Sequence, residues 1–146
     1  MKKYKILEDV AIADIAIEAY GKNLNELFEN SALAIFEESA NLKNVGEKEK
    51  RSIKINASDI EDLLYDFLSE ILFLKDTYST IFKKSEVKID KKRKKYHLNA
   101  KLFGEKIDRE KHELGNDLKA ITLHMFKIEK TKTGFKDLVV TGGNGV

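Results

Sequence analysis

The sequence of 146 residues contains no cysteine, no proline and no tryptophan. The absence of cysteine excludes disulfides, thiolate metal sites and thiol catalysis. No apolar run approaches the ~18–20 residues that a membrane-spanning helix needs. The first lysines are followed by Glu8 and Asp9 before any long apolar stretch, which is unlike a secretory signal peptide. We therefore expect a cytoplasmic protein.

Charge is abundant in the chain but nearly balanced. Lysine and arginine number 27 and aspartate and glutamate 25, for a net charge of +2. Hydrophobic residues make up 42% and charged residues 36%, as in a soluble globular protein. No linker is evident, so we predict one domain over residues 1–146, large enough to bury a core of its own. The small net charge implies no overall attraction to nucleic acid.

Two helices are predicted from their capping patterns and their apolar spacing. Asn23 and Glu26 form a capping box at the start of a helix over residues 24–40. Ser58 and Glu61 form a second one. It precedes an apolar stripe of helical period: Ile60, Leu63, Leu64, Phe67, Leu68, Ile71 and Leu72.

Apolar residues alternate with polar ones through most of the remaining chain, which predicts strands. The predicted strands are 14–20, 51–56, 81–92, 94–103, 119–129 and 135–140. The order is strand, helix, strand, helix and then a run of strands. This order predicts an α+β fold, in which two helices pack on one face of a mixed or antiparallel sheet in a single two-layer domain.

Ionisable residues are concentrated between Gly104 and His124, in the stretch GEKIDREKHELGNDLKAITLH. They either belong to a solvated loop and the polar face of a sheet, or converge on a ligand. His112 and His124 are twelve positions apart, and no HExxH or Cys/His cluster is present, so the pattern does not favour zinc.

Two charged residues lie on otherwise apolar predicted strands. Asp14 either faces solvent at the end of its strand or is paired with a cation or a metal, because buried carboxylates are rarely left alone. Lys119 is flanked by Leu118 and Ala120. It either lies on the open face of the sheet or needs a carboxylate or phosphate partner.

Two further motifs are candidates for phosphate or nucleic-acid binding. The basic run DKKRKK at 90–95 is either a solvated hairpin tip or a contact for RNA phosphates. The terminal GGNGV is not followed by a helix, so it fails the structural requirement for a phosphate loop.

Five stretches, taken in order, resemble the archease family of small proteins that assist RtcB-type RNA ligases. ADIAIEAYG resembles the opening strand of the family, and LNELFENSALAIFE and DIEDLLYDFLSEILFLKD resemble its two helices. GEKIDREKH is similar to its Gly-Glu, Asp and His signature, and DLKAITLHMFKI to the strand built around Lys-Ala. The resemblance covers residues 4–140, nearly the whole chain.

The resemblance implies a protein cofactor rather than an enzyme. Such a protein speeds guanylylation of the ligase and restores its turnover in tRNA splicing and RNA repair, and it meets RNA only through the ligase. The family holds a divalent ion, for which oxygen ligands suit Mg²⁺, Mn²⁺ or Ca²⁺. Its metal-binding aspartate corresponds to Asp14 and its essential lysine to Lys119. We expect Glu105, Asp108 and His112 to lie at or beside the same site.

The chain departs from the family pattern at two places. DVAIAD lacks the histidine that many members have before the aspartate, and the ending TGGNGV lacks their final aspartate. Asp137 or the terminal carboxylate of Val146 is then the replacement ligand, or the metal is lost. Two other functions stay open: a small metal-dependent hydrolase or phosphotransferase using Asp14, His112 and Lys119, and an RNA-binding module using hairpin 90–95.

Overall fold

The computed structural model describes residues 2–7 and 14–143. The stretch DVAIAD up to residue 13 lies outside the described residues. So do residues 144–146, which include the candidate ligand Val146. The side chain of Asp14 is not described either. Within the described residues the helices are α1 (Leu24–Ser39) and α2 (Ile60–Thr77), and neither helix is long and apolar enough to cross a membrane. The strands are β1 (Tyr4–Leu7), β2 (Asp14–Gly21), β3 (Glu49–Ala57), β4 (Thr80–Lys92), β5 (Lys95–Lys106), β6 (Leu118–Thr131) and β7 (Gly134–Gly143).

The predicted α+β class with two helices is confirmed, and the predicted elements coincide with observed ones to within a few residues. The strands were expected in one sheet, but they form two antiparallel sheets, with orders β1-β2-β7-β6 and β3-β5-β4. The first sheet joins the beginning and the end of the chain through β2 and β7. Such a pairing of distant strands leaves no mark on the local alternation of residues.

Each helix contacts both sheets. Helix α1 packs on β2 and β4, and α2 packs on β6 and β3. The two helices meet in the core, where the rings of Phe28 and Phe67 stack with their centroids 5.7 Å apart. The stripe predicted on α2 is buried from Leu63 to Leu72, whereas Ile60 is half-buried.

The predicted cap at Asn23 is confirmed, although Glu26 accepts from the N–H of Lys22 at 3.2 Å and not from that of Asn23, and the cap of the second helix is shifted by one residue. The side chain of Asn23 accepts a hydrogen bond from the backbone N–H of Glu26, at 2.9 Å. Helix α2 is capped by Asp59, which accepts from the N–H of Glu61 at 2.7 Å, and not by Ser58 as predicted. Both residue types suit the position, so the sequence pattern alone did not decide between neighbours.

Helix side chains also cover the edges of the two sheets. Glu29 of α1 accepts from the N–H of Val87 on edge strand β4, at 2.8 Å. Glu61 of α2 accepts from the N–H of Ile128 on edge strand β6, also at 2.8 Å. These bonds satisfy backbone donors that an edge strand otherwise presents to other chains.

Candidate functional site

The strand register places Asp14 and Lys119 at the same end of the four-stranded sheet. Asp14 pairs with Gly142 on β7, and Gly142 pairs with Ala120 on β6. Neighbouring strands are about 4.8 Å apart, so the backbones of residues 14 and 120 are separated by about 10 Å. The sheet thus brings together the two residues that the sequence singled out on apolar strands.

Lys119 lies in a β-bulge, which explains why a charged residue is tolerated there. The ladder passes from Leu118 opposite Gly143 directly to Ala120 opposite Gly142, so Lys119 is the extra residue. A bulge interrupts the alternation of side chains and redirects the extra one. Leu118 is accordingly buried, while Lys119 and Ala120 are both exposed.

The ammonium of Lys119 belongs to a network of four charges. Its Nζ lies 3.1 Å from Oδ2 of Asp117 and 3.7 Å from Oδ1 of Asp76. Lys75 lies 3.3 Å from Oδ1 of Asp117 and 3.1 Å from Oδ1 of Asp76. Hydrogen bonding to Asp117 raises the pKa of Lys119. Burial tends to raise the pKa of Asp117, but the hydrogen bonds from Lys119 and Lys75 outweigh it and lower that pKa. Lys119 is therefore held as an exposed cation.

A groove adjoins this network between α2 and β6. It has a volume of about 320 Å³, and its lining includes Tyr65, Phe73, Asp76, Lys119 and Ile121. The side chain of Phe73 is 60% exposed. Exposed aromatic and cationic side chains around a shallow groove are typical of a protein contact surface.

Glu105, Asp108 and His112 lie close together in a hydrogen-bonded clamp, in which Glu105 and His112 are buried and Asp108 is exposed. One oxygen of Glu105 accepts from the N–H of Gly46 at 2.7 Å, from Lys111 at 2.8 Å and from Nε2 of His112 at 2.8 Å. Nδ1 of His112 accepts from the N–H of Asp108 at 3.0 Å. Since Nδ1 is an acceptor, the ring proton is on Nε2 and the imidazole is neutral.

The clamp keeps the carboxylate of Glu105 ionised and out of solvent. Hydrogen bonds from Lys111, Gly46 and His112 lower the pKa of Glu105 to about 2. Asp108 builds the turn beneath it: its carbonyl accepts from the N–H of His112 at 2.7 Å, and its Oδ1 from the N–H of Glu110 at 3.0 Å. The side chain of His112 is 0% exposed. The clamp therefore joins the loop at Gly46 to β5. It is separate from the network of Lys119, whose ion pairs are with Asp76 and Asp117.

No metal site is formed by the described residues. Among the described side chains, which do not include that of Asp14, no three His, Asp or Glu are close enough to bind a common ion. Asp137 does not replace the missing ligand, because it pairs with Ala19, five positions and about 17 Å along the strand from Asp14. It is buried, and it accepts from the N–H of Ala19 at 3.2 Å and from Ser31. Burial raises its pKa to about 7.

The remaining sequence candidates lie apart from this network. The run at 90–95 is exposed and ends a hairpin whose two turn residues, Arg93 and Lys94, have φ of 52° and 67°. Positive φ at both positions is the requirement of a two-residue turn that matches the twist of the strands. His97 is half-buried on β5, and His124 is exposed on β6.

Sequence reasoning missed the partners of Lys119. Asp117 is two residues before it, and Asp76 ends the apolar stripe of α2 after Lys75. The aspartate two residues before the lysine, at the start of a predicted strand, was a signal for the pair of Asp117 and Lys119. No local signal indicated Asp76, because it reaches Lys119 only through the packing of α2 on β6.

Comparison with known proteins places these features in a family. The model of the archease protein family (MTH1598/TM1083) matches residues 4–141, and the chain belongs to that family. A protein archease from Pyrococcus abyssi is 45% identical over 134 residues, which are 92% of this chain and 93% of the relative. One from Methanothermobacter thermautotrophicus is 44% identical over 116 residues, 80% of this chain and 82% of the relative. The solution structure of Methanobacterium thermoautotrophicum protein 1598 superposes with a TM-score of 0.86 at 38% identity, covering 97% of this chain and 99% of that one.

Proposed function

We propose that this protein is an accessory factor of an RtcB-type RNA ligase, promoting its guanylylation and its multiple turnover in the cytoplasm. Membership of the archease family supports the proposal. The observation that carries it is the exposed cation of Lys119, fixed by two carboxylates beside a groove and at the same sheet end as Asp14. The protein has no reaction of its own in this proposal, and it reaches the RNA substrate through the ligase.

Lys119 would act by entering the ligase and orienting a negatively charged group there. A lysine already ordered by Asp117 and Asp76 loses less conformational freedom on contact than a free one. A fixed ammonium stabilises the charge that develops on a phosphate during nucleotide transfer. Asp76 and Asp117 are positioning residues in this account, because they act only through Lys119.

A divalent ion, Mg²⁺, Mn²⁺ or Ca²⁺, is proposed at the Asp14 end of the sheet. Oxygen ligands suit these ions, and Asp14 would supply one of them. The other ligands would have to come in part from outside the described residues, such as Val146, because no set of three is found within them. When bound, the ion would supply a positive charge next to Lys119. Calorimetric titration of Mn²⁺ into wild type and Asp14→Asn tests this: binding that Asp14→Asn does not weaken would contradict it.

The hydrolase alternative is weakened by the burial of His112, although Glu105, Asp108 and His112 line a cavity of about 660 Å³. It requires His112 as a general base, but the side chain is fully buried and both ring nitrogens are hydrogen-bonded, to Glu105 and Asp108. A general base must come within hydrogen-bond reach of the proton it removes from the substrate. His112 meets this requirement only if the clamp opens.

A reconstituted ligation assay tests the proposed function. An RtcB-type ligase is incubated with RNA ends and GTP, with and without wild type, Asp14→Ala or Lys119→Ala. We expect wild type to accelerate guanylylation and turnover, and the two variants to do so at least about tenfold less well, as for truncated hot-spot residues. Asp66→Ala and Lys130→Ala are matched controls, because both residues are exposed and form no ion pair within the described part of the chain.

The assay has two results that count against the proposal. A wild-type protein without effect on the ligase would contradict the function itself. An effect that survives both Asp14→Ala and Lys119→Ala would contradict the assigned site and leave the function standing.

A further inference from the structure

The small net charge of the chain conceals a strong separation of charge between two parts of the fold. Residues 49–57 and 80–106, which form β3, β4, β5 and the turn between the last two, contain 13 basic and 4 acidic residues, a net charge of +9. The rest of the chain contains 14 basic and 21 acidic residues, a net charge of −7. The three-stranded sheet is therefore strongly basic, although the net charge of the whole chain is only +2.

The positive charge is displayed on the outward face of the three-stranded sheet. Side chains alternate along each strand: Leu98, Ala100 and Leu102 of β5 are buried in the core, and the residues between them point outward. Five lysines of this outward face, which we call the basic face, are exposed away from the turn: Lys50, Lys54, Lys84, Lys88 and Lys101. Lys92 and Lys95 extend it to the turn.

Two exposed carboxylates, Glu86 and Asp90, share the basic face with its seven lysines. Among the described residues, Lys84 is its one lysine with an ion pair, and Oε2 of Glu86 is 3.7 Å from it. Lys54 and Lys88 flank Asn99 on the two neighbouring strands, about 10 Å apart by backbone spacing. Like charges at this spacing repel one another, and a bound polyanion relieves that repulsion.

The basic face is concave along its length. One depression of about 580 Å³ is lined by Lys54, Lys88, Lys101, Ser52 and Asn99, together with the carboxylates Glu29 and Glu86. A second of about 320 Å³ towards the turn shares Lys54 and Asn99 with the first. Together they form one trough, in which four lysines, the shared Asn99 and three carboxylates (Glu29, Glu86 and Asp90) line the wall.

We propose that this trough binds single-stranded RNA. The lysines would contact phosphates, while Asn99 and His97 of the central strand, which line the trough, are positioned to meet bases. A membrane surface fits less well, because the large exposed apolar side chains of the described residues, such as Phe73 and Leu123, are on other elements. The choice of RNA over DNA rests on the proposed function, whereas the preference for a polyanion does not.

The proposed RNA surface is separate from the Lys119 groove. The groove is formed by α2 and β6, whereas the basic face belongs to β3, β4 and β5. The protein can therefore present Lys119 to a ligase and hold RNA on the other sheet at the same time. This goes beyond the hairpin at 90–95, because most of the lysines of the face precede or follow that run.

Fluorescence anisotropy of a labelled oligouridylate, without any ligase, tests the inference separately from the proposed function. The trough variant is Lys54→Gln/Lys88→Gln/Lys101→Gln. Its charge-matched control is Lys43→Gln/Lys130→Gln/Lys132→Gln, at exposed positions outside the face. The slope of log affinity against log KCl should fall by about 2 in the trough variant, since each lost phosphate contact on a single strand removes about 0.7. We expect its affinity to fall by at least about tenfold at low salt, and the control to stay within a factor of about two of wild type.

Three outcomes would overturn the inference. Wild type without salt-dependent RNA binding would contradict the inference outright. Equal losses in the trough variant and its control would mean that the attraction is not located in the trough. Binding to anionic phosphatidylserine vesicles, with none to RNA, would assign the face to membranes instead.

Discussion

The clamp at Glu105 and the network at Lys119 each pair a carboxylate with a lysine, and they differ in exposure. In the clamp, the side chain of Glu105 is 7% exposed and that of His112 0%, and the carboxylate is bonded to His112, to Lys111 and to the N–H of Gly46. In the network, the side chain of Lys119 is 43% exposed and its carboxylate partners 43% and 46%. Burial assigns the clamp to stability, and exposure leaves the ammonium of Lys119 available to a partner. The central residues of both, Glu105 of the clamp and Lys119 of the network, lie in the one stretch from Gly104 to His124.

A third carboxylate, Asp137, extends the comparison and gives the largest expected effect. Its pKa is raised to about 7 by burial, with Glu18 adding a like charge, whereas an unfolded aspartate has its usual pKa of 3.8. The folded state thus holds the proton more tightly, and stability falls as pH rises from about 4 through about 7. Relative to Asp137→Asn, wild type should lose up to about 4 kcal/mol of unfolding free energy across that range.

Urea unfolding of both proteins at several pH values measures this difference. Parallel pH profiles for wild type and Asp137→Asn would contradict a raised pKa at Asp137. Glu105→Gln serves as the opposite case, because the lowered pKa of Glu105 gives stability that is lost as pH falls from about 4.5 to about 2.

Removing the imidazole of the clamp should destabilise the fold by about 2–3 kcal/mol. In His112→Ala, Glu105 loses one donor and the backbone N–H of Asp108 loses its acceptor inside the protein. Urea denaturation measures the loss, and His124→Ala, at an exposed position, is the matched control. A change within about 0.5 kcal/mol, as at ordinary surface sites, would mean that the clamp is not structural.

The smallest effect is expected from Asp117→Asn, which loosens the network without removing Lys119. Asp76 remains within 3.7 Å of the ammonium, so orientation is weakened but not lost. Stimulation of the ligase should fall about two- to fivefold, and unfolding free energy should change by less than about 1 kcal/mol, as for a surface ion pair. A loss as large as that of Lys119→Ala would give Asp117 a direct role in the contact.

Local patterns predicted the elements of the fold and failed where long-range pairing decides. The stripe of α2, the cap at Asn23 and the alternation in β4 follow from the period of each element, and all are observed. The division into two sheets depends on β2 pairing with β7, which no local pattern records. The position of Lys119 depends on a bulge in β6. Its contact with Asp76 depends on the packing of α2 against β6. Asp14 and Lys119 were singled out as charged residues on apolar strands, and the register places them at the same end of one sheet, while their functional roles stay predictions.

The most direct test compares Lys119→Ala with His112→Ala in the guanylylation assay, at a temperature where both variants are folded and with activity expressed per folded molecule. We predict that Lys119→Ala unfolds like wild type and loses at least about tenfold of the stimulation, as a hot-spot truncation does. His112→Ala should unfold more readily and keep its stimulation. The opposite pattern, with His112→Ala inactive while folded and Lys119→Ala active, would contradict the division between a buried clamp and an exposed functional cation.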